Sequence, residues 1–426
     1  MVAGTGAAQA FLMASGIMAA RLLGAEARGH LALLLLVPLV LGAVGGLGVP
    51  QAVTFWHARY PSDGPAIIRA AAPAYAVQAV VVAVASVVIA IPLLRPAPQD
   101  VVITSLILLV AAPAVLTWQY GVAIAQGRQQ FRLAVALLLA APGGYVAGLV
   151  GLALLHSGRL LTVAAVWTLA YALAAALGMA AATRGAGARP GSASEISLRA
   201  MLGFGMRALP TLSSPLQTLR LDQAAVGLLL GAAALGHYVV ALAFTGVPIL
   251  LATFMSVTVS GRVAAHRSRR AASRSLAAMV AALAAVAVAV AVGLAVVAPT
   301  LVESFFGREF APAATAARIL LFGSVGAAVQ RVIGDGLRAI GDPLGGTLGE
   351  IGSWTIVVPA VLVGASRSGI DGVAVAVTVS YFTGLAIVVA RWIIVSRRQR
   401  RVENVEDAID SDLRASAAAV MINSNE

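Results

Sequence analysis

The feature that most constrains this sequence is a succession of apolar runs of about twenty residues, the length an α-helix needs to cross a hydrocarbon layer about 30 Å thick. Twelve such runs can be marked, at 3–20, 30–54, 71–94, 101–125, 133–155, 161–182, 203–230, 237–260, 276–299, 313–335, 345–365 and 372–394. They take up most of the 426 residues and leave almost no chain for a soluble domain. Composition agrees, since 60% of residues are hydrophobic and only 11% charged, whereas a soluble domain carries roughly 25% charged residues. Met1 to Ala20 has no positively charged start before its apolar stretch, so it reads as a first helix rather than a cleaved signal. The expectation is an all-α integral membrane protein with twelve transmembrane helices.

The charged residues exclude several chemistries. All 29 basic residues are Arg, and lysine is absent. A P-loop, a kinase-type phosphate-gripping lysine and Schiff-base catalysis are therefore ruled out. With no Cys there are no disulfides, Cys-ligated zinc or thiol catalysis. The five His never fall at ligand spacing, so neither metal nor cofactor is expected. Gly203-Phe-Gly205-Met-Arg-Ala208 fits a loose dinucleotide pattern, but it opens an apolar helix and no strand precedes it. No nucleic-acid partner is expected. His30 and His237 read as polar residues at helix ends.

Arg placement orients the chain. With the N-terminus cytoplasmic, the inner loops and tail hold 18 Arg and the outer loops 6. That asymmetry puts both termini inside, in what is expected to be a bacterial plasma membrane. The clusters at 262–274 and 397–401 read as solvated positive-inside flanks.

An internal repeat organises the spans. Leu22-Leu-Gly-Ala-Glu-Ala-Arg-Gly-His30 recurs as Leu229-Leu-Gly-Ala-Ala-Ala-Leu-Gly-His237, seven identities in nine at an offset of 207. Three further matches stay in step: His57 with His266, Gly127 with Gly341, and Ser157-Gly158 with Ser368-Gly369. Six helices separate the copies, so both enter the membrane in the same sense, as parallel repeats. The expected organisation is a six-helix bundle at 1–183, a linker at 184–199, a second bundle at 200–395, and a charge-patterned cytoplasmic tail at 396–426, disordered or a short surface helix. Two like bundles facing each other have the geometry of an alternating-access transporter.

Particular motifs add a family resemblance. Leu219-Arg-Leu-Asp222 running to Gly227 and Gly231, then Leu235-Gly-His-Tyr238, resembles the seventh-helix signature of the polysaccharide-exporter branch of the MOP superfamily, the Wzx-type lipid-linked oligosaccharide flippases. Ala20-Arg-Leu-Leu-Gly24 resembles the first outer loop of that branch, and Phe305-Phe-Gly-Arg-Glu-Phe310 the segment that opens its tenth helix. The resemblance implies a MOP/MATE-like fold over residues 2–395. It also implies a transporter of a polyprenyl pyrophosphate glycan that works amid membrane lipids and other polysaccharide-assembly proteins. The alternatives are an ion-coupled multidrug exporter of MATE type and, more remotely, a membrane-embedded glycan polymerase or ligase. Short outer loops with scattered acids count against an enzyme.

The seventh span carries the candidate site. Arg220 and Asp222 lie about ten residues from its outer end, near the bilayer midplane, where a charge costs at least about 2.5 to 3.5 kcal/mol unless it meets a partner or water. On a continuous helix Arg207, Thr211, Ser214, Thr218 and Asp222 form one polar stripe, and Ser213, Gln217 and Arg220 a second. Arg220 is expected to contact the pyrophosphate, since a planar guanidinium suits it. Gln217, Ser214 and Thr218 would line the cavity, Arg207 is a first substrate contact or an interfacial anchor, and Asp222 is the ion-coupling candidate. Alternatively, Arg220 and Asp222 only tie neighbouring helices together. The matching first span offers only Thr5, Gln9 and Ser15. Arg318, Arg331, Glu350 and Arg391 read as anchors near helix ends, with Arg331 and Asp335 at pairing distance.

Overall fold

The computed structural model describes residues 2–94, 98–184, 197–212, 214, 216–265, 269–342 and 344–423. Their regular structure is helical: α1 (Val2–Gly45), α2 (Val49–Arg59), α3 (Gly64–Leu94), α4 (Gln99–Thr104), α5 (Leu108–Gly127), α6 (Phe131–Leu154), α7 (Leu160–Arg184), α8 (Leu198–Leu212), α9 (Leu221–Leu230), α10 (Ala232–Ala243), α11 (Gly246–Ala265), α12 (Arg269–Phe306), α13 (Ala313–Ala339) and α14 (Leu344–Asn423). Residues 185–196 of the expected linker lie outside the described residues, as do Ser213, Pro215 and His266. The tail beyond 396 continues α14 as helix to Asn423.

Eight helices among the described residues are long and apolar enough to cross a membrane, or nine if the bent pair α10–α11 is one span. Two of the eight are too long to be single crossings. The 42 residues Gly4–Gly45 would extend about 63 Å at 1.5 Å per residue, twice the hydrocarbon thickness. They break at Gly24, whose φ 74, ψ 175 is open only to glycine, so the first two expected spans lie within α1 and its continuation α2. The last two lie in α14, broken at Ser368–Gly369. The eighth bends by 43° between α10 and α11.

The sequence repeat is also a structural repeat. Gly231, 207 residues after Gly24, adopts nearly the same backbone, φ 88 and ψ 176, so both copies of Leu-Leu-Gly-Ala turn the chain in the same way. The two copies also pack against each other. A Cβ on Gly29 would collide with the carbonyl oxygen of Ala232, and one on Gly236 with that of Ala25. Ala25 and Ala232 are themselves repeat equivalents, so the contact is reciprocal. Lipid tails are as apolar as leucine, so burial gives little net drive between helices in a membrane; close van der Waals contact supplies the attraction, and it needs small residues at the crossing.

Side chains reinforce this end. Arg21 donates through Nε to the carbonyl of Phe305 at 2.6 Å and through Nη2 to that of Ser304. Glu309 accepts the amide of Ala25 at 2.8 Å, capping the free N-terminus that the Gly24 break creates; a carboxylate there is favoured by both charge and helix dipole. His237 donates from Nε2 to the carbonyl of Glu309 at 3.1 Å, and its ring meets Phe310 edge-on.

At the opposite end, the break between α1 and α2 at Leu47–Gly48 is tied by Gln78, which donates to Gly46 O and accepts from Tyr120. His57, at the end of α2, is 1% exposed and donates from Nδ1 to Val53 O at 2.9 Å. Arg128 beside it donates to the carbonyls of Ala181 and Ala182 at the end of α7. Arg391 grips Asp342 through two hydrogen bonds, 2.8 and 3.1 Å, which hold that carboxyl below the usual carboxylate range.

The expected seventh span, 203–230, is not a continuous helix. α8 stops at Leu212, and residues 216–220 turn before α9 starts at Leu221. The chain carries Pro210 and Pro215 here. Each lacks an amide donor and disfavours helix at the residue before it. Arg220 sits in the left-handed region, φ 49 and ψ 44. The helical stripes expected through Arg207, Ser214, Thr218 and Asp222, and through Gln217 and Arg220, therefore do not exist as such.

Two outcomes are expected. Gly29→Val and Gly236→Val each lower the thermal unfolding midpoint of the purified protein, by overpacking worth about 1 to 3 kcal/mol. The double variant loses clearly less than the sum, because the first substitution has already separated the same pair. Second, burial, helped by Arg128, lowers the pKa of His57 below 6.5. The folded state then stays neutral while the unfolded chain takes up a proton, so this stability is complete above about pH 6.5 and is lost as pH falls below it. Unfolding midpoints of wild type and His57→Gln between pH 7.5 and 5 should show a shallower fall for the variant.

Candidate functional site

The break in the seventh span decides where its polar groups go. Ser214 organises the unwound segment: its carbonyl accepts the amides of Thr218 and Leu219 at 3.1 and 3.0 Å, and its hydroxyl meets Glu350 of α14. These bonds answer the rule that non-helical backbone at membrane depth must be paired or line a cavity. Here it does both. Ser214, Gln217 and Thr218 line a cavity of about 280 Å³, facing Gln330 and Arg331 of α13 and Glu350 of α14. Arg207 is exposed on α8 and does not line it. Asp335 at its edge pairs with Arg338 instead of the expected Arg331, the i, i+3 partner being the one whose guanidinium meets the carboxylate.

Asp222 and Arg220 part company. Asp222 is 3% exposed in the first turn of α9 and accepts a hydrogen bond from Tyr238 of α10 at 2.8 Å. Its Oδ1 has no such partner among the described residues. This bond ties two helices, as one of the two readings expected. Arg220, displaced from the helix by its left-handed backbone, lies within electrostatic reach of Asp222 and of Tyr171 on α7. It forms no hydrogen bond or ion pair among the described residues.

The structure adds a second arginine that the sequence had placed in a loop. Arg28, one turn past Gly24, lies within electrostatic reach of Arg220 and Tyr145. Among the described residues its Nε is buried without a partner, as is the hydroxyl of Tyr145, a residue 6% exposed. Trp118 and Trp167 hold Tyr171 in place, with ring centroids 5.4 and 4.3 Å from it. Two guanidiniums and two phenols from α1, α6, α7 and the start of α9 thus converge, and among the described residues no carboxylate acts on Arg28. Like charges brought together away from water repel, and unpaired donors there lose their hydration. Such an array is suited to an anion with several acceptor oxygens, such as phosphate. No group of three or more His, Asp or Glu suited to a metal occurs among the described residues.

This architecture of broken helices around a charged interior is shared with solved membrane-protein structures. The structure superposes on an inward-facing multidrug resistance MATE family transporter of the MOP superfamily with a TM-score of 0.71, at 14% identity over 92% of this chain and 95% of that one. On the lipid II flippase MurJ in an inward closed conformation the TM-score is 0.72, at 12% identity over 94% and 91%. An outward-facing MATE transporter gives 0.64, at 14% identity over 94% of each. No curated protein matches the chain in sequence. Residues 17–315 match the family described as Polysaccharide biosynthesis protein, and the chain belongs to that family. It is a multi-pass membrane protein with the MOP fold, as the resemblance implies.

Because Arg28 has no bonded partner among the described residues, Arg28→Gln should raise the unfolding midpoint of the anion-free protein, a gain of about 1 kcal/mol from relieved repulsion and desolvation. Inorganic pyrophosphate should stabilise wild type but not the variant. A variant less stable than wild type in anion-free buffer would show that Arg28 is held by a structural partner.

Proposed function

We propose that the protein is a flippase, not an enzyme, which moves an anionic lipid-linked oligosaccharide, a polyprenyl pyrophosphate glycan, across the bacterial plasma membrane by alternating access. The observation that carries this reading is the cation-rich array of Arg28, Arg220, Tyr145 and Tyr171. It combines residues from both sides of the expected linker, where a substrate exposed first to one face and then to the other must bind. Arg220 and Arg28 hold the pyrophosphate. Gln217, Ser214 and Thr218 meet the remainder of the head group, and exposed Arg207 is its first contact. Asp222 is the ion-coupling candidate: protonation or a bound cation would weaken its bond with Tyr238 and loosen α9 against α10.

Residues 1–183 and 200–395 act as two halves that rock about the 184–199 segment, with both termini cytoplasmic. The reciprocal contact of Gly29 and Gly236 is then the outer gate, closed in this structure. The higher TM-score with the inward-facing than with the outward-facing MATE transporter supports that state. Membrane lipids and other polysaccharide-assembly proteins are its surroundings. A MATE-like exporter of cationic drugs is the second reading, favoured by buried Asp222 and disfavoured by two neighbouring arginines that form no ion pair among the described residues.

The reading is tested by glycan export in a deletion strain carrying Arg220→Ala, Arg220→Lys or Asp222→Asn at matched membrane abundance. Arg220→Ala should lower export at least about tenfold, the effect of one charge-assisted contact, with Arg220→Lys intermediate. Normal export by Arg220→Ala would rule out the anionic site, and failure of Asp222→Asn alone would favour the cation exporter.

A further inference from the structure

We infer that the cavity beside the unwound segment seats the sugar that heads the lipid-linked substrate, as a pocket for a neutral polyhydroxylated ring. The inference rests on the flippase reading and names the part of the substrate that this cavity takes.

Charge balance is the first argument. Arg331 and Arg338 are offset by Asp335 and Glu350 around the same space. Free phosphate would gain from the arginines and lose to the carboxylates, and a cation the reverse. A neutral ligand meets no such penalty. A sugar hydroxyl both donates and accepts, so it needs a lining of both kinds. The cavity supplies it: the carboxylate of Glu350 only accepts, the guanidinium of Arg331 only donates, the hydroxyl of Thr347 does either, and that of Ser353, which already donates to the carbonyl of Ser380, accepts. Tyr381 adds an aromatic wall, apolar enough to cover the C–H face of a ring.

The second argument is an unsatisfied group in the wall of that space. Gln330 is 6% exposed, and its Oε1 is buried without a hydrogen-bond partner among the described residues. The amide is closely confined. Gly349 and Gly384 enclose it so closely that an added Cβ would stand 3.0 Å from Nε2 at the first and 2.7 Å from Oε1 at the second. An acceptor fixed in that way is completed by a hydroxyl donor from a ligand.

Position is the third. Tyr381 lies within electrostatic reach of both Glu350 and Asp222, so the cavity adjoins the start of α9, where Arg220 stands. One ligand can then place its diphosphate between Arg28 and Arg220 and its first sugar here. At about 280 Å³ the space is just under the range of about 300 to 1,000 Å³ of drug-sized sites, room for a ring or two but not for a long glycan.

The test uses the purified full-length protein in a membrane mimetic, with binding read by native mass spectrometry. The probes are undecaprenyl pyrophosphate and the same lipid carrying one hexose. Wild type should bind the hexosyl lipid about tenfold more tightly, the effect of one or two net hydrogen bonds. Gln330→Leu and Glu350→Gln, each confirmed as folded by thermal unfolding, should bring that ratio close to one, whereas Arg220→Ala weakens both lipids together. Equal binding of the two lipids by wild type, or an unchanged ratio in both pocket variants, overturns the sugar seat and leaves the flippase reading standing. If wild type binds neither lipid, the flippase reading fails and the sugar seat with it.

Discussion

The structure depends on one close crossing, where the backbones at Gly29 and Gly236 approach the carbonyls of Ala232 and Ala25. In hydrocarbon, two helices gain little by hiding apolar side chains from each other, since lipid hides them equally well. Contact must therefore come from surfaces smooth enough to meet backbone to backbone. Glycine supplies such a surface twice, at equivalent places. The same stretch carries the breaks at Gly24 and Gly231, which expose helix N-termini, and Glu309 caps one of them. Packing, chain reversal and capping at this end thus follow from one nine-residue motif and its copy.

Much of this was legible in the residues. The apolar runs gave an all-helical membrane protein, and the Leu-Leu-Gly-Ala repeat gave two segments that share a backbone conformation. The broken seventh span was not legible, because counting apolar residues between 203 and 230 registers composition and not continuity. Pro210 and Pro215 were the available signal. Arg28 was missed for a related reason. Counting from span ends assigned it to an outer loop, but after the Gly24 break the next helix starts at Ala25, ahead of the expected start at His30, and carries Arg28 into the bundle. Tyr145 and Tyr171 look like ordinary core aromatics in any single helix, and only the packing of α6 and α7 brings them to the arginines.

The charges inside the bundle divide by what they touch. Arg391 with Asp342, Arg338 with Asp335 and Arg318 with the carbonyl of Ala295 are satisfied by protein, and their contribution is structural. Asp222 is satisfied on one oxygen by Tyr238. Arg28 and Arg220 stand apart, with no hydrogen bond or ion pair among the described residues. A chain gains no stability by holding two such groups together, and the proposed function accounts for them through an anionic ligand.

The central claim is that the end closed by Gly29 and Gly236 opens during each transport cycle. Because the natural chain has no cysteine, Glu26→Cys and Ala233→Cys, equivalent exposed positions on the two repeats, can be joined there by a short, reductively cleavable bifunctional reagent. The measurement is glycan export by cells carrying this pair, before joining, after joining, and after reductive cleavage. Rocking predicts that export falls to the deletion-strain level when the pair is joined and returns when it is cut. Export at the unjoined rate with joining complete would contradict it.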